Sequence, residues 1–425
     1  MKNLVERNTP ITFNVDWSMR EKVMASLFLI IIFIVYISLG LPDGFLGLAW
    51  PIMQPEFDVA FGNAGIISMI LSASTVVASL FIGKLTKRFG IGKLVLICFI
   101  FATIGIFGFS LASSFIWLVF MAIPLGLGGG AIGTSLNSYV TDNYESRHMN
   151  WLHSFWGVGA LIGPMIISKT ISQYNSWRHS YLIVGIWDIL IIILLAVALP
   201  YWQKVVSFKK TESDIYNEGK IHNQPEDDIG KKQSNNINIL GATKIKGVRS
   251  AMLVFFFYSG IEASIGLWGG SYLIRISGFN TTKAAFFISF YYASITVGRF
   301  LSGFMSICIN NRKLIRIGEI IVLVGIIVLF LPLPADLSAI SFVLIGFGCA
   351  PIIPCMIHET PIGFGHTHAP LIVGLQMSSL YTGAMILPPL LGQISNKFSI
   401  SLLPYFLMLY IIVMLIGTER IPSKK

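Results

Sequence analysis

Three ionisable residues interrupt otherwise apolar stretches of the chain, and these residues have the strongest potential for chemistry. Asp43 follows an uncharged apolar run, and Glu262 and Arg299 lie within two later runs. Ionisable side chains inside lipid-spanning segments are costly, and they usually mark a pathway for an ion or a solute. Apolar surroundings favour the neutral form of a carboxylic acid, which allows an Asp or a Glu to load and release a proton. We therefore expect Asp43, together with Glu262 and Arg299, to couple proton movement to another process.

Each of these residues also has a simpler structural interpretation. Asp43 lies close to the end of the first apolar run, where it could form an exposed polar turn. Glu262 and Arg299 have opposite signs, and a permanent ion pair between them would fix the packing of two helices. A fourth acidic residue, Asp188, lies in the sixth apolar run, and we interpret it as structural.

Amide and aromatic side chains in the same apolar stretches are typical of a site for sugars. Amides bond to hydroxyl groups, and an aromatic face takes the C–H side of a sugar ring. Core packing or a position at the membrane interface explains each aromatic residue taken alone. His153 could carry a proton near neutral pH, although we favour a neutral hydrogen-bonding role. The candidate solute-binding residues are Asn137, Asn150, His153 and Trp156 in the first half of the chain and Trp268, Tyr272, Tyr292 and Gln376 in the second.

Motifs for catalysis and for metal binding are missing from the sequence. It contains no phosphate-binding P-loop, no zinc-peptidase helix motif and no nucleophile elbow. The four cysteines have no paired spacing, and His358, Glu359, His366 and His368 do not follow a recognised zinc pattern. We therefore expect no enzymatic activity, no cofactor and no metal site, and we interpret the histidine-rich stretch as a solvated loop.

The composition indicates that membrane-spanning helices position these residues. The chain is 54% hydrophobic and only 12% charged, whereas a soluble domain is about 25% charged. A membrane-spanning helix needs about 20 mostly apolar residues, and backbone groups in lipid must be satisfied within the segment. The sequence thus predicts an all-α membrane protein with twelve transmembrane helices, arranged six and six. The predicted runs are 23–50, 64–83, 93–112, 115–141, 150–168, 179–202, 250–274, 284–307, 314–333, 337–358, 369–392 and 399–417.

The placement of basic residues predicts the orientation in the membrane. Of the 30 Lys and Arg residues, 24 lie on the side that carries both termini, 5 lie on the opposite side, and Arg299 lies within a helix. Loops on the cytoplasmic side carry an excess of Lys and Arg, so both termini are expected to be cytoplasmic. The net charge of +10 is explained by this bias and gives no support to nucleic-acid binding.

Short segments of the first half recur in the second half in the same order. The step from Asp43 to Gly47 matches the step from Glu262 to Gly266. The sequence also predicts how the chain is divided: a cytoplasmic tail at 1–22, a first half at 23–203, a cytoplasmic linker at 204–248, a second half at 249–417 and a tail at 418–425. Two parallel repeats suit halves that rock around a central site. The other matched pairs are Gly126 and Gly128 with Gly346 and Gly348, and Gly159, Ala160 and Pro164 with Gly383, Ala384 and Pro388.

This organisation resembles the major facilitator superfamily along nearly the whole chain. The segment from Gly83 to Gly90, with Arg88, is similar to the superfamily's signature loop, Gly-x-Leu-x-Asp-Arg-x-Gly. Lys87 stands where the family usually has the aspartate, so the charge contact that commonly holds the outward-open state cannot form in its usual way. The resemblance implies the major facilitator fold and a conformational role for Gly83, Arg88 and Gly90.

Within the superfamily, several segments resemble the fucose–galactose–glucose:proton symporter branch, the fucose permease-like proteins. Pro42-Asp43 is similar to an Asn-Asp step of those permeases, which supports Asp43 as the coupling residue. Two departures are clear, because Gly133 replaces a second carboxylate of that branch and His153 replaces a glutamine. Further similarity lies around Asn137, at Asn150 to Phe155, at Glu262 to Tyr272 and at Gly298-Arg299.

These observations predict a secondary active transporter that takes up a sugar or a similar small polar solute together with protons. We expect a monomer in the plasma membrane of a bacterium, with a small-molecule solute, protons and lipid as its partners. Proton-driven efflux of amphipathic compounds is the alternative, because Phe, Met and Ile are abundant. A transporter-like sensor that signals through its linker is a rival from another class.

Overall fold

The computed structural model describes residues 19–143, 146–221, 239–365 and 368–422. The first predicted tail lies largely outside the described residues, as do the middle of the predicted linker and residues 423–425 of the second tail. Within the described ranges the chain is almost entirely helical. The helices are α1 Met19–Gly40, α2 Phe45–Glu56, α3 Asn63–Phe89, α4 Ile91–Ser110, α5 Phe115–Asn143, α6 Ser146–Tyr174, α7 Arg178–Ile221, α8 Ile239–Ala242, α9 Val248–Arg275, α10 Thr281–Cys308, α11 Asn311–Val328, α12 Ala335–Cys349, α13 Ile352–Phe364, α14 Ala369–Lys397 and α15 Leu403–Glu419, with a short 3-10 turn at Ile400–Leu402 before α15.

Twelve crossings of the membrane follow from these helices. Helices α1 and α2 form one crossing, α12 and α13 form another, and α8 is too short to cross. By length and apolar composition, 11 of the crossings within the described ranges qualify as membrane spans. Helix α11 is the twelfth, and the charges of Arg312, Lys313, Arg316 and Glu319 place it outside that criterion. The prediction of an all-α protein with twelve transmembrane helices is confirmed.

Several helix ends differ from the predicted runs, among them those of α7 and of the first crossing. Helix α7 continues to Ile221, beyond the predicted boundary at 203, because nothing in the polar sequence that follows Pro200 stops a helix before Gly219. The first helix begins at Met19 rather than at 23 and ends early, because a turn at 41–44 divides the first crossing into α1 and α2.

The two sets of six crossings make equivalent contacts. In the first set α5 packs on α3 and α4, and in the second α12 packs in the same way on α10 and α11. Likewise α6 packs on α1, and α14 packs on α9. The contacts between the sets are equivalent too, because α3 meets α14 and α6 meets α10. The molecule thus has a two-fold pseudosymmetry that relates its halves.

The repeated glycines hold equivalent close contacts in the two halves. A Cβ on Gly126 would lie 2.3 Å from the Leu71 carbonyl of α3, and one on Gly346 would lie 2.6 Å from the Tyr291 carbonyl of α10. Gly159 and Gly383 repeat the pattern, since they lie against the backbone of α1 and α9 respectively. Small residues allow helix backbones to approach closely in a membrane, which explains why these positions recur.

The halves are closed against each other at one end of the bundle. We call this the distal end, and we call the end that carries the start of α1 and the end of α15 the terminal end. At the distal end the Phe61 amide donates to Asn396 Oδ1 at 3.1 Å. The Arg275 guanidinium lies 4.1 Å from the ring centre of Phe61 and donates to Gln54 at 2.9 Å. Each of these contacts joins one half to the other.

The terminal end is less closed. Among the described residues, α5 and α13 make no extensive contact with the opposite half, although both reach the terminal end. Within the described residues, the hydrogen bonds that join the halves lie toward the distal end, which they hold closed.

Candidate functional site

A break in the first crossing places Asp43 at mid-membrane. The turn at 41–44 interrupts a span that runs from Leu27 to Glu56, and Asp43 lies near its middle. Pro42 follows the last turn of α1, and Gly44 adopts a φ of 79°, a left-handed conformation that favours glycine. From the sequence, Asp43 could form an exposed turn near the outer end of the first run or lie within the bundle as a coupling residue, and the break places it within the span.

Helix α6 is pressed against this break. A Cβ on Gly40 would lie 2.1 Å from the Trp156 carbonyl, and one on Gly163 would lie 2.2 Å from the Leu41 carbonyl. Irregular backbone at membrane depth is tolerated only where protein or a cavity surrounds it, and here α6 supplies that protein. The close approach fixes the direction in which Asp43 points.

Asp43 lies at the interface between the halves. Its carboxyl group interacts with the Trp156 indole of the same half and with Glu262 and Tyr292 of the other half. Among the described residues, Asp43 has no ion-pair partner. The structure therefore brings together Asp43 and Glu262, the two acidic residues that occupy matched positions in the repeats.

Glu262 and Arg299 form a loose ion pair beside Asp43. The shortest distance from Glu262 Oε1 to the Arg299 guanidinium is 3.5 Å, and the side chains are 22% and 19% exposed respectively. The Arg299 guanidinium also lies 5.9 Å from the ring centre of Trp156. His153 faces Arg299 from α6. The pair thus lies within the protein, open enough to be reached between the halves, and it contacts side chains from both.

An aromatic pair connects the halves above this cluster. The ring centres of Trp156 on α6 and Tyr292 on α10 are 6.3 Å apart in an edge-to-face arrangement. Gly157 directly follows Trp156, and Thr296 lies one turn after Tyr292. A Cβ on Gly157 would meet the Thr296 hydroxyl at 2.0 Å, so α6 and α10 are in close contact here. Trp156 therefore contacts the second half while remaining beside Asp43.

A second polar group extends the cluster within the first half. The Tyr36 hydroxyl lies 2.8 Å from Asn137 Oδ1 and 3.1 Å from the Gly133 carbonyl, and it can donate to one of them at a time. The Tyr36 ring lies 6.1 Å from the His153 ring. A Cβ on Gly133 would meet nothing within 4 Å, so there is open space where the resemblance expects a carboxylate.

Three of the predicted solute-binding residues are placed elsewhere. Trp268 is fully buried and its indole donates to the Pro388 carbonyl at 2.8 Å. Gln376 is 1% exposed and accepts a hydrogen bond from Thr360 within the second half. Tyr272 is also buried, and its ring lies 6.2 Å from that of Phe342. Gln376 and Tyr272 thus lie in the core of the second half, whereas Trp268 packs at the distal end, where its ring lies 4.9 Å from that of Phe61 of the first half. The side chain of Asn150 lies outside the described residues.

Asp188 lies in the core of the first half. It is 4% exposed and interacts with Ser38 of α1, while its Oδ1 makes no hydrogen bond to any described residue. Among the described residues no group of three or more His, Cys, Asp or Glu side chains could hold a metal ion. His366 is outside the described residues, and Glu359 accepts a hydrogen bond from Asn311.

Three tyrosines that surround the cluster were missed by the sequence analysis. Tyr36 lies on α1 two turns before Asp43, Tyr258 lies on α9 one turn before Glu262, and Tyr291 lies on α10 two turns before Arg299. Tyr258 shares a face of α9 with Glu262, and Tyr291 shares a face of α10 with Arg299, whereas Tyr36 precedes the turn that carries Asp43. This spacing becomes informative only once the charged residues are known.

Comparison with known proteins identifies the family. The family described as Major Facilitator Superfamily matches residues 29–388, which covers both halves and the break at Asp43. The chain belongs to the major facilitator superfamily. The resemblance noted in the sequence is confirmed by this match.

Relatives within the superfamily have low identity to the chain. A yeast protein, Bypass of stop codon protein 6 of Saccharomyces cerevisiae, is 22% identical over 70% of this chain, and the match spans only 63% of the yeast protein. The cis,cis-muconate transport protein of Acinetobacter baylyi is 25% identical over 82% of this chain and 83% of its own length. The glucose/mannose transporter GlcP of Bacillus subtilis is 29% identical over 47% of this chain and 46% of its own length.

A solved structure shares the fold. A bacterial homolog of the human lysosomal transporter Spinster, solved in an inward-facing and unoccupied conformation, has a TM-score of 0.68 at 14% identity. The likeness covers 95% of this chain and 96% of that one. The chain is thus a multi-pass membrane protein with the major facilitator fold.

The superfamily's signature loop lies at the terminal end, away from the cluster. Gly83 lies within α3, and Gly90 joins α3 to α4 with a φ of 73° that favours glycine. The Arg88 guanidinium lies 5.5 Å from the ring centre of Phe89. The side chain of Lys87, which replaces the usual aspartate, is outside the described residues.

Proposed function

We propose that this protein takes up a sugar or a similar small polar solute together with protons, by alternating access. The observation that carries the proposal is Asp43, a carboxylic acid without an ion-pair partner among the described residues. It lies at a mid-membrane helix break and faces both halves. A charge at that position is costly, so the acid has reason to bind a proton whenever the site is shielded from water.

Proton binding and the movement of the halves are coupled through this charge. Protonation of Asp43 removes the repulsion between its carboxylate and that of Glu262 across the interface. The halves then close over a bound solute more readily. After the site opens on the other side, water returns and favours release of the proton. Solute and proton thus move together because each favours closure.

The side chains around Asp43 suit a solute with several hydroxyl groups. Trp156 and Tyr292 offer ring faces and edges from opposite halves, and His153 and Asn137 offer hydrogen-bonding groups within the first half. The pair of Glu262 and Arg299 adds a donor and an acceptor. GlcP of Bacillus subtilis, a relative that matches about half of the chain, is named for glucose and mannose, which supports a hexose as the first solute to test.

We also propose that the protein lies in a bacterial plasma membrane as a monomer, with its terminal end in the cytoplasm. The excess of Lys and Arg at that end supports the orientation. We also propose a division of the chain into a first half, a linker and a second half near 203 and 249, with α7 extending into the linker.

Efflux of amphipathic compounds is the second candidate. The aromatic character of the site favours it, since Trp156 and Tyr292 border Asp43, and Tyr36 lies beside His153. The two candidates differ in the direction of net movement. An inward proton gradient drives a sugar into the compartment in the first case and drives an amphipathic compound out of it in the second.

The experiment uses protein reconstituted in proteoliposomes with an imposed inward proton gradient. Labelled hexoses, deoxyhexoses and amino sugars are screened for accumulation, with a dicarboxylic acid included because of the muconate relative. Asp43→Asn removes the titratable acid while keeping its shape, so we expect gradient-driven accumulation to be lost while solute exchange without a gradient is retained.

Asp58→Asn is the matched control for that change. Asp58 lies on the exposed loop after α2 with a φ of 48°, which Asn tolerates well. We expect this variant to accumulate solute like the wild type. Accumulation that survives Asp43→Asn would exclude Asp43 as the coupling residue, and export of amphipathic compounds without any sugar uptake would favour the second candidate.

A further inference from the structure

A buried tyrosine, Tyr258, lies next to the ion pair of Glu262 and Arg299. Tyr258 is 1% exposed and lies one turn before Glu262 on α9, so that both side chains share a face of the helix. Its hydroxyl lies beside the Arg299 guanidinium and interacts with Glu262. In this conformation, however, the hydroxyl forms no hydrogen bond of normal geometry with any described residue. A buried hydroxyl without such a bond is costly, and it requires an explanation.

The ion pair itself is held loosely. A distance of 3.5 Å is longer than the 2.7–2.9 Å that is usual for a charged hydrogen bond between nitrogen and oxygen. The Arg299 guanidinium carries five donors, and among the described residues no second carboxylate lies within ion-pair distance of it. The guanidinium therefore has N–H donors that the ion pair does not use, and the Tyr258 hydroxyl is an acceptor next to them.

We propose that Tyr258 is the reserve partner of Arg299. Its hydroxyl accepts a hydrogen bond from the guanidinium when Glu262 takes up a proton. This inference rests on the proposed function, since it assigns a positioning role within the same coupling cluster. When Glu262 is ionised, Arg299 faces the carboxylate. When Glu262 is protonated, the guanidinium turns to the Tyr258 hydroxyl, which is already in place. A guanidinium left without any partner inside the protein would make that protonation costly.

The surroundings of the pair leave Tyr258 as the acceptor best placed for this exchange. Tyr291 on α10 is fully buried, and its hydroxyl also lacks a hydrogen bond to a described residue, but it is placed near Glu262 and Cys349 rather than beside Arg299. His153 faces Arg299 from the other half, and it separates from Arg299 if the halves move apart. The titratable and charged groups that interact with the pair, within the described part of the chain, are Asp43, His153, Tyr258, Tyr291, Tyr292 and Cys349.

The test compares two phenylalanine variants. Tyr258→Phe removes the hydroxyl and keeps the ring. Tyr410→Phe does the same at a tyrosine that is 1% exposed, has no hydrogen bond from its hydroxyl to a described residue, and packs on Phe257 and Phe406 of the second half. Both variants thus lose a hydroxyl of the same kind, but only Tyr258 lies beside Arg299.

The measurement is the rate of solute uptake into proteoliposomes as a function of pH. Without the reserve partner the guanidinium has no acceptor when the ion pair opens, so a more acidic medium is needed to open the pair. We expect the pH of half-maximal uptake to fall by about one unit in Tyr258→Phe, which is the effect of losing a hydrogen bond to a charged group. The maximal rate at acidic pH should stay within about twofold of the wild type, and Tyr410→Phe should leave the whole profile unchanged.

Solute exchange at a fixed acidic pH, measured for all three proteins, shows that each variant is folded. A Tyr258→Phe profile that coincides with that of the wild type overturns the proposal and leaves the proposed function intact. An equal shift in Tyr410→Phe also overturns it, because the shift would then reflect a general effect of a lost hydroxyl. If uptake by the wild type does not respond to pH at all, the proposed function fails, and the role of Tyr258 fails with it.

Discussion

At the scale of single residues, the central feature is a carboxylic acid and an ion pair that meet between two halves of a protein. Asp43 comes from the first half, and Glu262 and Arg299 come from the second. Two carboxylates and one guanidinium leave a net negative charge when all three are ionised. One added proton neutralises the group, which is the simplest reason for a proton to accompany closure of the halves.

The contribution of the ion pair to the free energy of unfolding can be measured by removing one partner and then both. Arg299→Ala leaves Glu262 without its cation, so we expect the free energy of unfolding to fall by about 1–3 kcal/mol, between the values for exposed and for buried pairs. The double variant with Glu262→Ala should recover part of that loss, because no unpaired charge remains. Thermal unfolding in detergent checks both.

A second ion pair provides the control. Lys283 and Asp336 form a contact at the distal end in which both side chains are well exposed, at 45% and 62%. Lys283→Ala should therefore change the unfolding temperature little. Equal stability of Arg299→Ala and Lys283→Ala would contradict the view that the central pair holds the second half together.

The charged residues of the cluster could be predicted from the sequence, and the tyrosines could not. Asp43, Glu262 and Arg299 were identifiable because a charge inside an apolar run is rare. Tyrosine is common in membrane helices, so Tyr36 and Tyr258 carried no such signal. Gln376 was predicted for the solute site from its chemistry, and periodicity alone does not show that its side chain is buried within the second half.

At the scale of helices, two interruptions border the site. The turn at 41–44 carries Asp43, and the break between α12 and α13 follows Cys349, which interacts with Glu262 and Arg299. Proline and glycine account for both, with Pro42 and Gly44 at the first and Pro351 at the second. Broken helices at membrane depth are typical of binding sites in transporters. The sequence contained these residues, yet the apolar character of residues 45–53 suggested a continuous helix.

Glycine contacts between helices determine how tightly the distal end closes. Gly62, at the start of α3, lies against the backbone of α14, where a Cβ would come within 2.7 Å of the Gly392 carbonyl. Gly62→Ala should therefore hold the distal end apart, because backbone atoms cannot give way as a flexible side chain can. Overpacking of this kind costs about 1–3 kcal/mol, enough to shift the conformational equilibrium about tenfold.

Alkylation of a buried distal residue measures that shift. Leu48 is 1% exposed and lies against Gly270 of the other half, so Leu48→Cys reports whether the distal end is open. In a background without the four native cysteines, Gly62→Ala should speed its reaction with a membrane-impermeant maleimide about tenfold. Gly303→Ala is the control, since a Cβ there meets nothing within 4 Å. An unchanged rate in Gly62→Ala would show that this contact does not limit closure.

At the scale of the whole molecule, two equivalent halves enclose one asymmetric site. The repeated glycines maintain the same contacts in each half, and this is why local sequence matches predicted the architecture well. The site is asymmetric because an aspartate occupies the turn in the first half, whereas a glutamate paired with arginine occupies the second. Which end is closed depends on the balance of contacts between the halves, and sequence patterns do not contain that balance.

Whether solute and protons move together can be measured directly from the pH of the medium during uptake. Proteoliposomes without a pH gradient are placed in a weakly buffered medium, an outward-to-inward solute gradient is imposed, and the pH of the medium is recorded. We expect the medium to become more alkaline as the wild type carries solute and protons inward. We expect Asp43→Asn to carry solute without this change. Solute uptake by the wild type with no change in the pH of the medium would contradict proton-coupled uptake.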